Sequence, residues 1–87
     1  MAEKLSDEAV KKQLPEGWSI ENGKLHKEFS FEDFAQALGF VNRVGAIAEE
    51  LDHHPEVWFT YGTVVIEIVT HDAGGITEKD LDLATLI

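Results

Sequence analysis

The spacing of apolar residues along this chain changes repeatedly, and each change predicts a new element. Residues 6–14 (SDEAVKKQL) predict a short helix. Ser6 suits an N-cap, acids fill the first turn and lysines come later, which matches the helix dipole. Pro15 and Gly17 end it. Residues 18–20 and 25–29 flank Asn22-Gly23, the preferred pair for a tight type I′ turn, so a hairpin is expected. Leu25, Lys27 and Phe29 alternate with His26 and Glu28, with Lys27 the polar residue out of phase.

A long helix follows. Ser30 and Asp33 have capping-box spacing, with Asp in place of the usual Glu. The helix is expected to start at Ser30 and run to about Asp52, because Pro55 cannot continue it. Its apolar residues form two adjacent stripes. One holds Phe34, Leu38, Val41, Gly45 and Ala48; the other holds Phe40, Val44, Ile47 and Leu51. Together they cover about half the circumference, more than one sheet face needs. The first is assigned to the core against the sheet and the second to an oligomer surface; the plainer alternative makes both core beneath the short first helix.

Residues 57–61 and 63–71 predict a second hairpin around Gly62. Val64, Ile66 and Ile68 alternate with Val65, Glu67 and His71, which places Glu67 and His71 on the more open face. Gly74-Gly75 break the strand. Thr77 and Asp80 again have capping-box spacing, and Leu81, Ala84 and Ile87 begin a last helix. The order is (α)ββαββα. It predicts an α+β fold, a four-stranded antiparallel sheet with helices packed on one face, in a single domain over residues 1–87.

Charge narrows the partners. The 87 residues carry 17 acids against 7 bases, a formal charge of −10. Such a surface is poorly suited to direct nucleic acid binding and would be repelled by an anionic membrane. The start, MAEKLSDEAV, has no apolar core of a signal peptide, and no apolar run approaches spanning length. A cytoplasmic protein is expected. With no cysteine there is no disulfide, thiolate metal site or cysteine nucleophile.

Three of the four histidines fall in one stretch, LDHHPEVWFTYGTVVIEIVTHDAGG. His53 and His54 stand where the long helix ends, and His71 stands at a strand end beside Asp72. If the hairpin arms pair across Gly62, His53 or His54 can face His71. That would gather an acid and a base around one small molecule, with glycines letting backbone amides approach it. Imidazole suits the task because it ordinarily titrates near neutrality. The plainer role for His53 and His54 is to cap carbonyls at a helix end. Zinc is a rival, but adjacent histidines at a helix end tend to point apart and the spacing matches no usual pattern such as HExxH. A serine triad lacks its GxSxG elbow.

These residues resemble the pterin-4a-carbinolamine dehydratases, also known as dimerisation cofactors of a homeodomain transcription factor. The likeness runs through Gly17-Trp18, Phe29-x-Phe31-x-x-Phe34, Glu49-x-x-Asp52-His53-His54-Pro55, Tyr61, Val64-x-Ile66, Thr70-His71-Asp72, Gly74-Gly75-Ile76-Thr77 and Asp80-x-x-Leu83-Ala84. The resemblance implies loss of water from 4a-hydroxytetrahydropterin to give quinonoid dihydropterin, in tetrahydrobiopterin recycling, with no metal or redox cofactor. It implies His53 and His71 as the acid/base pair, their order set by which ring face carries the hydroxyl. His54 would bind or orient the substrate, and Asp80 would support the site by holding His71. Asp52, Pro55, Thr70 and Asp72, with the backbone at Val69, would line the pocket. A small pterin and a homodimer or homotetramer are the implied partners. Some relatives of this fold act instead as non-catalytic binding or assembly factors. Many animal members have Trp directly after HHPE and Asn after the strand tyrosine; here those positions are Val57 and Gly62.

Overall fold

The computed structural model describes residues 3–87. Helix α1 (Asp7–Gln13) is capped by the Ser6 side chain, which accepts the Ala9 N–H, and it buries Val10. Strands β1 (Ser19–Glu21) and β2 (Lys24–Ser30) form the first hairpin. Its central residues Asn22 and Gly23 both have positive φ, 52° and 77°, as a type I′ turn requires. Helix α2 (Phe34–Leu51) leads to β3 (Glu56–Phe59) and β4 (Thr63–Ile68), and α3 (Glu78–Leu86) ends the chain. The sheet order is β1-β2-β4-β3, with every pair antiparallel. The predicted α+β class and element order are therefore found.

β4 runs through the centre of the sheet. Val64, Ile66 and Ile68 are wholly buried on the helix side, opposite Phe29, Lys27 and Leu25 of β2. They join Val10, Trp18, Phe40, Val44, Ile76, Leu81 and Leu83 in one core. Lys27 fits this row because its charge escapes. Its Nζ donates to the Glu16 carbonyl at 3.2 Å and sits 4.9 Å from the Phe29 ring centroid. The apolar stem can cover the core while the head stays wet.

Three local expectations are corrected. Ser30 does not open α2; it ends β2, paired with Thr63, and Asp33 is the N-cap, accepting the Gln36 N–H at 2.8 Å. The buried stripe on α2 is Ala37, Phe40, Val44 and Ala48, in which Phe40 and Val44 come from the row assigned to an oligomer and Ala48 from the other. Phe34 and Leu38, assigned to the core, stay 45% and 41% exposed. Strand β4 stops at Ile68, so the alternation does not reach His71, which begins a 3₁₀ turn (His71–Ala73).

Gly62 has a packing reason. Its carbonyl accepts the Phe31 N–H at 2.8 Å, and a Cβ there would sit 2.8 Å from the Phe31 carbonyl oxygen. Trp58 pairs with Val65 and stands 60% exposed on the open sheet face, while Val57 pairs with Ile66. The two departures from the animal pattern thus lie on the edge strand and its turn.

Candidate active site

The end of α2 sets the direction of the histidines. Asp52 is left-handed, with φ 52° and ψ 43°. Its N–H donates to Glu49 O at 3.3 Å, and the His53 N–H donates to Ala48 O at 3.0 Å. This pair of bonds is a Schellman closure, with aspartate where glycine is usual. The chain turns sharply and carries His53 back towards α3. His54 points elsewhere: its Nε2 lies 2.5 Å from Glu49 Oε2, and both side chains are exposed. The two adjacent imidazoles do point apart.

The second wall forms beyond β4. Thr70 and Gly75 pair through two backbone bonds, 3.1 and 3.3 Å long, and close the loop THDAGG. Thr70 is extended (φ −103°, ψ 99°), and the 3₁₀ turn then ends in left-handed Gly74, φ 77°. Successive side chains in extended backbone face opposite ways. Thr70 faces α3, and His71 is turned out to the solvent side.

Helix α3 supplies the third wall through the predicted capping box. Thr77 is the N-cap, and its N–H donates to Asp80 Oδ2 at 2.8 Å. Asp80 is wholly buried, yet its carboxylate is well partnered. Oδ2 also accepts the Thr70 hydroxyl at 2.9 Å, and Oδ1 lies 2.5 Å from His53 Nε2. Thr70 has one hydroxyl proton, which Asp80 takes, so the 2.8 Å contact between the Thr70 and Thr77 oxygens has Thr77 as donor. Among the described residues, no buried side-chain polar atom lacks a partner. Asp80 therefore holds His53, not His71 as expected from the resemblance. A carboxylate only accepts, so His53 donates from Nε2 to Asp80 and its Nδ1 is the nitrogen left outside this contact.

These walls border an open cleft of about 290 Å³ lined by Asp52, His53, His54, Val69, Thr70, His71, Asp72 and Lys79. Seven of those eight were candidates from the sequence. Pro55 does not line it, and Asp80 acts from behind His53. Lys79 was missed. Its signal was slight: one base among the acids of EKDLD, immediately before Asp80. Glu49, the partner of His54, was quoted only as part of a motif. Beside the cleft, Lys24 hydrogen-bonds Glu56 at 2.5 Å and holds its carboxyl below the ordinary range, with the charges of Lys24 and His71 acting the same way. No three of the described His, Asp or Glu side chains gather as a metal site would need.

Three imidazoles line the cleft and differ in character: His53 is backed by a buried carboxylate, His54 is paired with exposed Glu49, and His71 is open to solvent. Comparison with known proteins decides the lineage: the family model described as pterin 4 alpha carbinolamine dehydratase matches residues 3–87. This chain belongs to that family. A dehydratase-named relative from Sulfolobus acidocaldarius is 46% identical over 86 residues, covering 97% of this chain and 94% of its own. One from Rhodopseudomonas palustris is 47% identical, covering 97% and 87%. A Brucella melitensis crystal structure described as a transcriptional coactivator/pterin dehydratase superimposes with a TM-score of 0.88 at 33% identity, covering 95% and 93%. A pterin dehydratase-like protein described as a RuBisCO assembly factor in the alpha-carboxysome reaches 0.68 at 25% identity, covering 83% and 86%. Family membership makes the three-walled cleft the place to look for dehydratase chemistry.

Proposed function

We propose that this protein dehydrates 4a-hydroxytetrahydropterin to quinonoid dihydropterin by histidine acid/base catalysis. The observation that supports it most is the cleft that holds His53 and His71 together, with His53 anchored on buried Asp80. In the reaction the C4a–O bond breaks, the hydroxyl leaves as water after gaining a proton, and N5 loses its proton to form the C=N bond. One imidazole gives a proton and the other takes one. The ring face that carries the hydroxyl sets which does which. In either order His53 passes through its imidazolium form, and the Asp80 carboxylate stabilises that form and fixes the ring. His54, at the rim and paired with Glu49, orients the substrate. Asp52, Thr70 and Asp72 shape the wall, with Val69.

The test is decay of 4a-hydroxytetrahydropterin with and without the protein, in a stopped assay. Acceleration is expected, and His53→Ala or His71→Ala should each cut it by about 10²-fold or more, the usual contribution of a positioned acid or base. Activity should survive a strong chelator. No acceleration by the unaltered protein would sink the proposal and leave a binding or assembly role, the role described for the more distant carboxysome protein. A homo-oligomer is also proposed, because α2 presents Phe34 and Leu38 outward.

A further inference from the structure

We propose that Lys79 is a specificity-determining residue that binds the hydroxylated C6 side chain of a biopterin-type substrate. A second cavity, of about 90 Å³, is lined by Leu51, His53, Lys79 and Asp82. It shares His53 and Lys79 with the larger cleft, so these two side chains stand between the two spaces. Of the chain's seven lysines and arginines, Lys79 alone lines either one. Among the described residues it forms no ion pair, so its ammonium is not held by a carboxylate.

The capping box explains its position. Asp80 turns into the core to close the helix N-terminus, so its neighbour Lys79 faces outward at the same level of α3. A pterin ring held between His53 and His71 fills the larger cleft. The small cavity is too small for a second ring but suits a short substituent. Its chemistry is mixed: an apolar wall at Leu51, three ammonium donors at Lys79 and a carboxylate acceptor at Asp82. A hydroxyl both donates and accepts, so a short chain with adjacent hydroxyls can use both charged groups. A bare methyl group can use neither.

This inference rests on the dehydratase reading, and its test separates the two. Wild-type protein, Lys79→Met, Lys79→Arg and Asp82→Asn are assayed on two 4a-hydroxytetrahydropterins, one with a 1,2-dihydroxypropyl group at C6 and one with methyl. Equilibrium binding of the matching 7,8-dihydropterins is measured alongside. For Lys79→Met, the ratio of kcat/KM for the hydroxylated over the methylated pterin should fall about tenfold, the loss of a charge-assisted hydrogen bond. The change should sit in KM and in the binding constant. Lys79→Arg should restore most of the ratio, and Asp82→Asn should lower it less. An equal change for both pterins, or none for either, overturns the inference, the first because Lys79 would then act on the ring or on proton transfer. Wild-type protein that accelerates neither pterin overturns the dehydratase reading and this inference together.

Discussion

His53 at the end of α2 and Asp80 in the first turn of α3 meet with imidazole Nε2 2.5 Å from carboxylate Oδ1, the imidazole half-buried and the carboxylate wholly buried. The contact joins the reactive side of the cleft to the cap of a helix. Asp80 at once satisfies the Thr77 N–H, anchors the Thr70 hydroxyl and orients His53. Fold and chemistry therefore share one carboxylate.

Replacing Asp80 should strike both. Asp80→Ala leaves three donors without their acceptor and removes half of the capping box, at a cost of about 2 kcal/mol or more. Asp80→Asn keeps the shape and an acceptor oxygen, so it should unfold at a temperature closer to the wild type's. Its amide cannot stabilise an imidazolium as a carboxylate does, so kcat should fall on the order of 10-fold to 10²-fold with little change in KM. Thermal melts and steady-state rates on the two variants check this. Full kcat in Asp80→Asn would mean that Asp80 serves the helix alone.

The two catalytic candidates should differ in stability though not in activity. His71 is exposed and bonds no other side chain among the described residues, so His71→Ala should melt within about 2 °C of the wild type. His53→Ala leaves a wholly buried carboxylate without one of its donors, and should lose about 1–3 kcal/mol. Equal melting temperatures for both variants would mean that the His53–Asp80 bond contributes nothing to the fold.

Periodicity and turn chemistry were enough to read the element order, the Asn22-Gly23 turn and the Thr77–Asp80 cap, because each depends on neighbours in sequence. The clustering of histidines brought His53, His54 and His71 into view, and the family resemblance added Asp52, Val69, Thr70 and Asp72. What stayed hidden depends on rotation and direction. α2 is buried along Ala37, Phe40, Val44 and Ala48, near the seam between two equally apolar stripes, and no pattern tells which side of a seam faces inward. Ser30 and Asp33 have the right spacing for a cap, but Ser30 is already paired with Thr63 in the sheet. Asp80 was matched to the wrong histidine because Thr70 uses the inward direction and sends His71 outward.

Lys24 and Glu56 form an exposed pair at the edge of the sheet, and its pH dependence has a definite sign. The hydrogen bond and then the charge of Lys24 hold Glu56 low; the same bond raises Lys24. A lowered carboxylate adds stability above its unfolded pKa, and loses it as pH falls through the folded value. A raised lysine adds stability below its unfolded pKa, and loses it as pH rises through the folded one. The pair thus acts between the acid and alkaline limits. Because it is exposed, Glu56→Gln should change the neutral melting temperature by no more than about 2 °C. That difference should shrink in acid and in high salt. A difference that grows as pH falls would contradict the pairing.

The outward face of α2 yields the prediction on assembly. Phe34 and Leu38 are exposed, Phe34 lies stacked on Phe59 at 5.4 Å, and two turns beyond Leu38 Gly45 opens to free space. Apolar side chains beside a glycine let a second helix approach closely, and burying them from water would favour association. Ile47, by contrast, packs against the core. Leu38→Glu should therefore lower the mass in solution, by light scattering, while leaving the circular dichroism spectrum intact. Ile47→Glu should lower the melting temperature, because it forces a charge against buried apolar groups. If Leu38→Glu keeps the parent's oligomeric mass, α2 is not the contact; if the parent itself runs as a monomer, the proposed homo-oligomer is wrong.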